Sequence, residues 1–212
     1  MNDMNNGHEY VDLGADVMWA TCNVGASCPE EFGYYFAWGE TAPKEDYSWE
    51  SYKYWKDSLG KDPWCKATFN KYNTRKEQGV VDNRMRLILA DDAAHVHWGG
   101  SWHMPSTRDL QFLRNMCRWT GVTQNGTDGY RVTSQLNGNS IFLPCTGVWM
   151  GKTRPNYWRF ETGGIWSAEL REDKPFWAYS LNFGYSSIFE DDMIDIYSQA
   201  RSYGLPVRPV AG

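Results

Sequence analysis

The sequence predicts an α+β fold, two short helices around small antiparallel sheets, on three observations. Alternating polar and apolar runs open and close the chain, and two helical segments with N-terminal caps lie between them. The 12 Trp, 13 Tyr and 9 Phe, with 20 Gly, describe a turn-rich protein whose core is closed by aromatics. Strands, then helices, then strands is α+β order, not alternating βαβ. At 212 residues the chain can bury a sizeable core, and residues 1–212 are expected to form a single domain.

Glu9-Tyr10-Val11-Asp12-Leu13-Gly14 alternates and stops at a glycine, as a strand followed by a turn does. Val17 to Gly25 repeats the form, so the two make an opening hairpin. Phe32 to Glu40 is dense in aromatics and is expected to cross the core. From Thr41 to Asn83 periodicity fades while Tyr52, Tyr54, Trp55, Trp64 and Phe69 recur. A structureless loop of that length is unusual in a compact domain, so 41–83 reads as an elaborated insert whose aromatics cover the core. Asp91 and Asp92 open a short helix that closes at Gly99-Gly100. A stronger helix runs from Ser106 to Arg118, capped by Ser106 or Thr107, with Leu110, Leu113, Cys117, Phe112 and Met116 on its apolar face. Tyr130 to Thr133 and Ser140 to Pro144 form a hairpin, for which Asn137-Gly138 predicts a tight two-residue turn. Gly163 to Val210 begins and ends in strand grammar. Its middle, Ala168 to Arg201, sets acids, aromatics and aliphatics side by side, and only Ala178 to Phe183 reads as a clean strand.

The net charge of −5, from 26 acids and 21 bases without a basic-aromatic surface, argues against a nucleic-acid partner. No apolar run approaches membrane-spanning length, and Met1 to His8 is polar, so neither direct membrane insertion nor a signal peptide is expected from this chain. Cys22, Cys28, Cys65, Cys117 and Cys145 are an odd set without a CxxC pair, which fits buried thiols with at most one bridge.

His95, His97 and His103 would suit a metal only if a strand aligned the first two, and no acid or Cys completes a recognisable ligand set. They read as structural. Asp191, Asp192 and Asp195 with Glu190 lack the spacing and the glycine of an EF-hand loop and read as a solvated acidic surface. Neither Cys117 nor Cys145 sits beside a base that would activate a thiol. No catalytic motif is present, so no enzyme activity, cofactor or metal is expected.

Seven ordered blocks resemble the Fibrobacter-type major paralogous domain, abundant in gut Bacteroidetes, and they span almost the whole chain. They are Glu9 to Gly14, Trp19 to Gly25, Gly33 to Thr41, Asp91 to Val96, Trp98 to Pro105, Asn139 to Pro144 and Gly204 to Val210. The resemblance implies a C-type-lectin-like fold, in the variant related to formylglycine-generating enzymes. It also implies paired terminal strands, Glu9 to Leu13 beside Val207 to Val210. Ala15-Asp16-Val17 replaces the family's usual Pro-Ser-Gly turn, Cys145 a small residue, and Ala168 the second Ser of Trp-Ser-Ser. The sugar-binding Glu-Pro-Asn or Gln-Pro-Asp triplet of calcium-dependent lectins is missing.

Some proteins of this fold and layout are variable proteins of diversity-generating retroelements, whose final segment, here 163–210, becomes a hypervariable ligand-binding face. There, reverse transcription mutates template adenines. An AAC codon can then become Tyr, Ser, Phe, Asp, Ile, Leu, Arg or Ala but never Glu, Lys, Gln, Met or Trp. Leu170, Arg171, Asp173, Phe176, Ser180, Tyr185, Ser187, Phe189, Asp191, Asp192, Ile194 and Asp195 all lie within the reachable set. Glu169, Glu172, Glu190 and Met193 do not. With Ala168 and Tyr197, the reachable positions make up the expected binding site.

The resemblance thus implies a non-enzymatic protein that binds a protein or cell-surface ligand, located at the cell surface, secreted or on a phage particle. Strand alternation would hold Leu181 and Phe183 inward and turn Ser180 and Asn182 outward. Replacing Phe189, Ile194 and Tyr185 would then abolish binding without changing stability. One alternative is a glycan-binding adhesin module that stacks sugars on Trp177, Tyr179, Trp55 or Trp64. The other is a thiol enzyme of the formylglycine-generating kind using Cys117 or Cys145.

Overall fold

Two turns shape the N-terminus: Asn6-Gly7, with both residues at positive φ, and the turn after Asp12, whose Oδ1 accepts the Gly14 N–H at 2.6 Å. They fold three short strands, β1 (Asp3–Asn5), β2 (His8–Asp12) and β3 (Met18–Ala20), into an antiparallel meander. The computed structural model describes residues 3–58, 67–153, 162–186 and 191–212, with backbone alone at 3, 57–58, 67, 185–186 and 191–192. The chain continues through β4 (Tyr35–Phe36), β5 (Trp55–Ser58), β6 (Ala67–Phe69), α1 (Ala93–Trp98), β7 (Trp102–His103) and α2 (Thr107–Met116). It then runs through β8 (Cys117–Gln124), β9 (Thr127–Ser134), β10 (Ser140–Pro144), β11 (Gly163–Leu170), β12 (Trp177–Ser186), β13 (Asp191–Ala200), β14 (Leu205–Pro206) and β15 (Val210–Ala211). This is a mixed α+β fold, mainly β, with two helices among small antiparallel sheets.

Chain ends share the sheet β1-β2-β3-β15-β7, but not as the direct neighbours expected of Glu9–Leu13 and Val207–Val210. Trp19 of β3 stands between them, opposite Val11 on one side and Val210 on the other. The tight turn after Asp12 returns β3 onto β2 first, which leaves only the far edge of β3 for the C-terminus. Arg208, fully buried, fastens that edge: Nη1 donates to Ala20 O at 3.1 Å and Thr21 O at 2.6 Å, and Nε to Asn23 Oδ1 at 2.8 Å.

Helix α2 starts with a reciprocal cap: Ser106 Oγ accepts the Asp109 N–H at 3.2 Å, and Asp109 Oδ2 accepts the Ser106 N–H at 2.8 Å. It stops before the expected Arg118, because Cys117 is already extended and begins β8, pairing with Ser134 of β9. Met116 is consequently exposed, while Leu110 and Leu113 are buried. The hairpin β9–β10 forms as expected, with Ser140 facing Thr133, but its connection covers residues 135–139. The two-residue turn lies one hairpin earlier, at Asn125-Gly126, with φ of 47° and 85°.

The sheet β11-β12-β13 parts two apolar cores. One gathers Trp38, Trp102 and Trp166 with Tyr47, Trp49, Tyr52, Tyr54, Phe69 and Tyr72 from the insert. The insert therefore covers the core, as its aromatics suggested; Trp55 is half-buried against it, and Trp64 lies outside the described residues. The other core packs Leu110 and Leu113 of α2 with Trp19, Tyr130, Leu181, Phe183 and Val210. Among the described residues no helix is long and apolar enough to cross a membrane.

Candidate ligand-binding face

The C-terminal sheet is fastened from below by hydrogen bonds that need particular side chains. Trp166 Nε1 donates to Phe36 O at 2.7 Å, and Trp38 Nε1 returns a bond to Ser167 O at 2.9 Å. The outer edge of β11 is covered by the segment around Arg86: Leu87 N–H donates to Ala168 O at 2.9 Å and Leu170 N–H to Met85 O at 2.7 Å. Gly163 admits no side chain, since a Cβ there would lie 2.2 Å from the Phe183 ring.

Arg201, directly after β13, is fully buried and meets only neutral acceptors. Its Nε donates to Tyr52 Oη at 2.9 Å, Nη1 to Tyr72 O at 3.0 Å and Pro175 O at 2.9 Å, and Nη2 to Lys71 O at 3.2 Å. The guanidinium carbon sits 4.5 Å from the Phe69 ring centroid and 5.1 Å from that of Trp38, distances at which aromatic faces attract a cation. One side chain thus ties the end of β13 to the 171–176 loop and to the insert. Asp91 steadies the same region, accepting from Lys71 Nζ, from Lys53 Nζ at 3.3 Å and from Tyr72 Oη at 2.7 Å. Burial pushes its carboxyl up, but the bonds from Lys71, Tyr54 and Tyr72 outweigh this and hold it at about 2.

Above this base, β12 and β13 pair without interruption from Trp177↔Ala200 to Ser186↔Asp191. Leu181, Phe183, Ile194 and Ile196 turn toward α2 and its core. The opposite row of β13 runs Met193, Asp195, Tyr197, Gln199, with Met193 and Tyr197 exposed, and faces the small residues Gly184, Asn182, Ser180 and Ala178 of β12. A polar chain links the row to β12: Gln199 Nε2 donates to Asn182 Oδ1 at 3.2 Å, and Asn182 Nδ2 to Ser180 Oγ at 3.0 Å.

The free edge of β13 is guarded. Arg114 Nε donates to Ile194 O at 3.3 Å and pairs with Asp195 at 3.2 Å, while Asp195 Oδ1 accepts the Ile196 N–H at 2.8 Å. Beside it, Arg171 grips Asp173 with two bonds of 2.7 and 3.2 Å and reaches Ser198 Oγ at 3.2 Å. The mutual bond raises the Arg171 pKa and lowers that of Asp173.

No protein-family model, curated protein or solved structure matches this chain. Geometry alone therefore sorts the expected site residues. Arg171 and Asp173 pair with each other and reach β13 through Ser198, Asp195 and Tyr197 alternate along β13 itself, and Phe176 is half-buried. Ala168, Leu170 and Ser180 do not join them: they are buried, at 2, 3 and 0% exposure. The expected outward turn of Ser180 is thus corrected, and Asn182 beside it is half-buried. Ile194 is half-buried against the α2 core, so its replacement is not neutral for the fold. Tyr185, Asp191 and Asp192 lie on strand backbone, whereas Ser187 and Phe189 are outside the described residues.

Met193, Gln199 and Arg114 were missed. Period-two alternation from Met193 to Gln199 carried the signal for the first two; nothing local marks Arg114. The histidines are separate, each ring nitrogen meeting a backbone carbonyl: His95 with Trp102 O, His97 with Thr41 O and His103 with Ser101 O. Cys117 and Cys145 are buried, and burial pushes the Cys117 thiol up to about 11.

Proposed function

We propose that the chain is a non-enzymatic ligand-binding protein of C-type-lectin-like fold. Its C-terminal segment presents a hypervariable face to a protein or cell-surface ligand, as the variable proteins of diversity-generating retroelements do. The observation that carries this is the exposed β13 row, Met193 and Tyr197 at 39 and 46% exposure, on a sheet whose Ala168, Leu170, Ala178, Ser180 and Leu181 are buried. Large adaptable side chains on a rigid support are what an interface needs for its few dominant anchors. The neighbouring Arg171–Asp173 pair and Asp195 add charge that a partner can read at little cost to the fold.

A display library varying Arg171, Asp173, Asp195 and Tyr197 tests the proposal. Selection against unrelated soluble proteins should enrich binders whose melting temperatures stay within about 4 °C of the parent. Loss of folding across the library would overturn it. In the genome, the proposal expects a near-copy of the DNA encoding Trp166 to Val210, differing mainly at adenines, beside a reverse transcriptase gene.

A further inference from the structure

On the side of the N-terminal sheet lies a cavity of about 360 Å³ with two thiols in its wall. Cys22 and Cys28 both line it, both are free and both are partly exposed. Between them the chain reverses, Ala26 N–H donating to Asn23 O at 3.0 Å, with Gly25 at a φ of 82°. The reversal carries Ser27 and Cys28 back toward the cavity that Thr21 and Cys22 enter from β3. His8, stacked on Trp98 with ring centroids 3.8 Å apart, forms a flat wall beside the thiols.

The two thiols have different surroundings. Cys22 lies between Thr21 and Asn23, both of which accept from the buried Arg208. All four bonds of that guanidinium go to neutral oxygens, Phe142 O at 3.1 Å included, so its charge meets no carboxylate among the described residues. The Cys22 sulfur meets the Thr21 hydroxyl at 3.5 Å. Cys28 is instead bonded to the Glu30 carboxylate, which raises its pKa, while Glu30 Oε1 is held by Gln124 Nε2 at 2.6 Å and Asn125 Nδ2 at 2.8 Å.

We propose that this cavity is a thiol–disulfide exchange site for low-molecular-weight disulfides, with Cys22 as the attacking thiol and Cys28 as the resolving one. The Cys22 thiolate attacks one sulfur of the incoming disulfide; that S–S bond breaks and the departing thiolate takes up the proton Cys22 released. Cys28 then loses its proton and attacks Cys22 Sγ, the mixed disulfide breaks, and the second small thiol leaves with that proton. Two electrons pass from the cysteine pair to the small disulfide, which becomes two thiols.

Incubation of the full chain with oxidised glutathione, acid quench and mass spectrometry tests this. The tryptic peptide Met1 to Lys44 contains Cys22 and Cys28 and no other cysteine, so its mass isolates the pair. The expected result is loss of two hydrogens from that peptide, faster than any change at Cys65, Cys117 or Cys145. The C28S variant should stop with one glutathionyl group on Cys22, whereas C22S should acquire Cys28 adduct at least tenfold more slowly. A wild-type peptide that keeps both hydrogens, or a C28S chain modified at Cys22 no faster than when denatured in urea, overturns the proposal.

Discussion

β11 and β13 flank the same central strand, and their side chains have opposite freedom. β11 is sealed by the two cores on its faces and by residues 85–87 along its edge, so Ala168 and Leu170 are fixed by packing. β13 has one face on α2 and the other in solvent, so alternate residues answer to different demands. Position in the sheet, and not position in the 163–210 stretch, decides which residues a fold can spare.

The largest expected break in that contrast is at the base. Arg201→Ala leaves Tyr72 O, Pro175 O, Lys71 O and Tyr52 Oη without their donor in a dry site, and should cost about 3 kcal/mol or more in denaturant unfolding. A loss below about 1 kcal/mol would show that β13 does not depend on this anchor.

Acid should loosen the same base. The Asp91 carboxyl sits at about 2 in the fold against an ordinary 3.8. Its contribution, roughly 2 kcal/mol, is therefore complete above about pH 4 and fades as pH falls from there toward 2. Thermal unfolding of Asp91→Asn should be less stable than the parent at neutral pH and converge with it near pH 2. Parallel curves would argue against the role given to Lys71, Tyr54 and Tyr72.

The finest test lies within β13 itself. Ile194→Ala, facing α2, should cost about 1 to 2 kcal/mol, while Tyr197→Ala, on the outer row, should change stability by less than about 0.5. Equal costs would remove the distinction between its two sides.

Much of the frame was legible locally. Ser106 or Thr107 announces the cap of α2, and the alternation around Tyr10, Tyr130 and Ile141 announces strands. β13 escaped notice because acids at 191, 192 and 195 obscure a two-residue period whose inward members, Ile194 and Ile196, are half-buried at an edge. Asn137-Gly138 reads as the two-residue turn because β8, with few buried positions, does not read as a strand. Arg201 and Arg208 could not be foreseen: burying an arginine requires carbonyls from distant segments, and no neighbour in sequence reports them. The binding site was half legible, since codon chemistry marks which residues can vary but not which face solvent.

The neutral cage around Arg201 also bears on the media in which the protein can work. Dissolved ions weaken exposed pairs such as Arg171–Asp173 and Arg114–Asp195 by screening their attraction. A guanidinium held by carbonyls, hydroxyl and aromatic rings behind a dry wall has no counter-ion for salt to compete with. Brine should therefore retune what the outer strand attracts while its mooring stays fast.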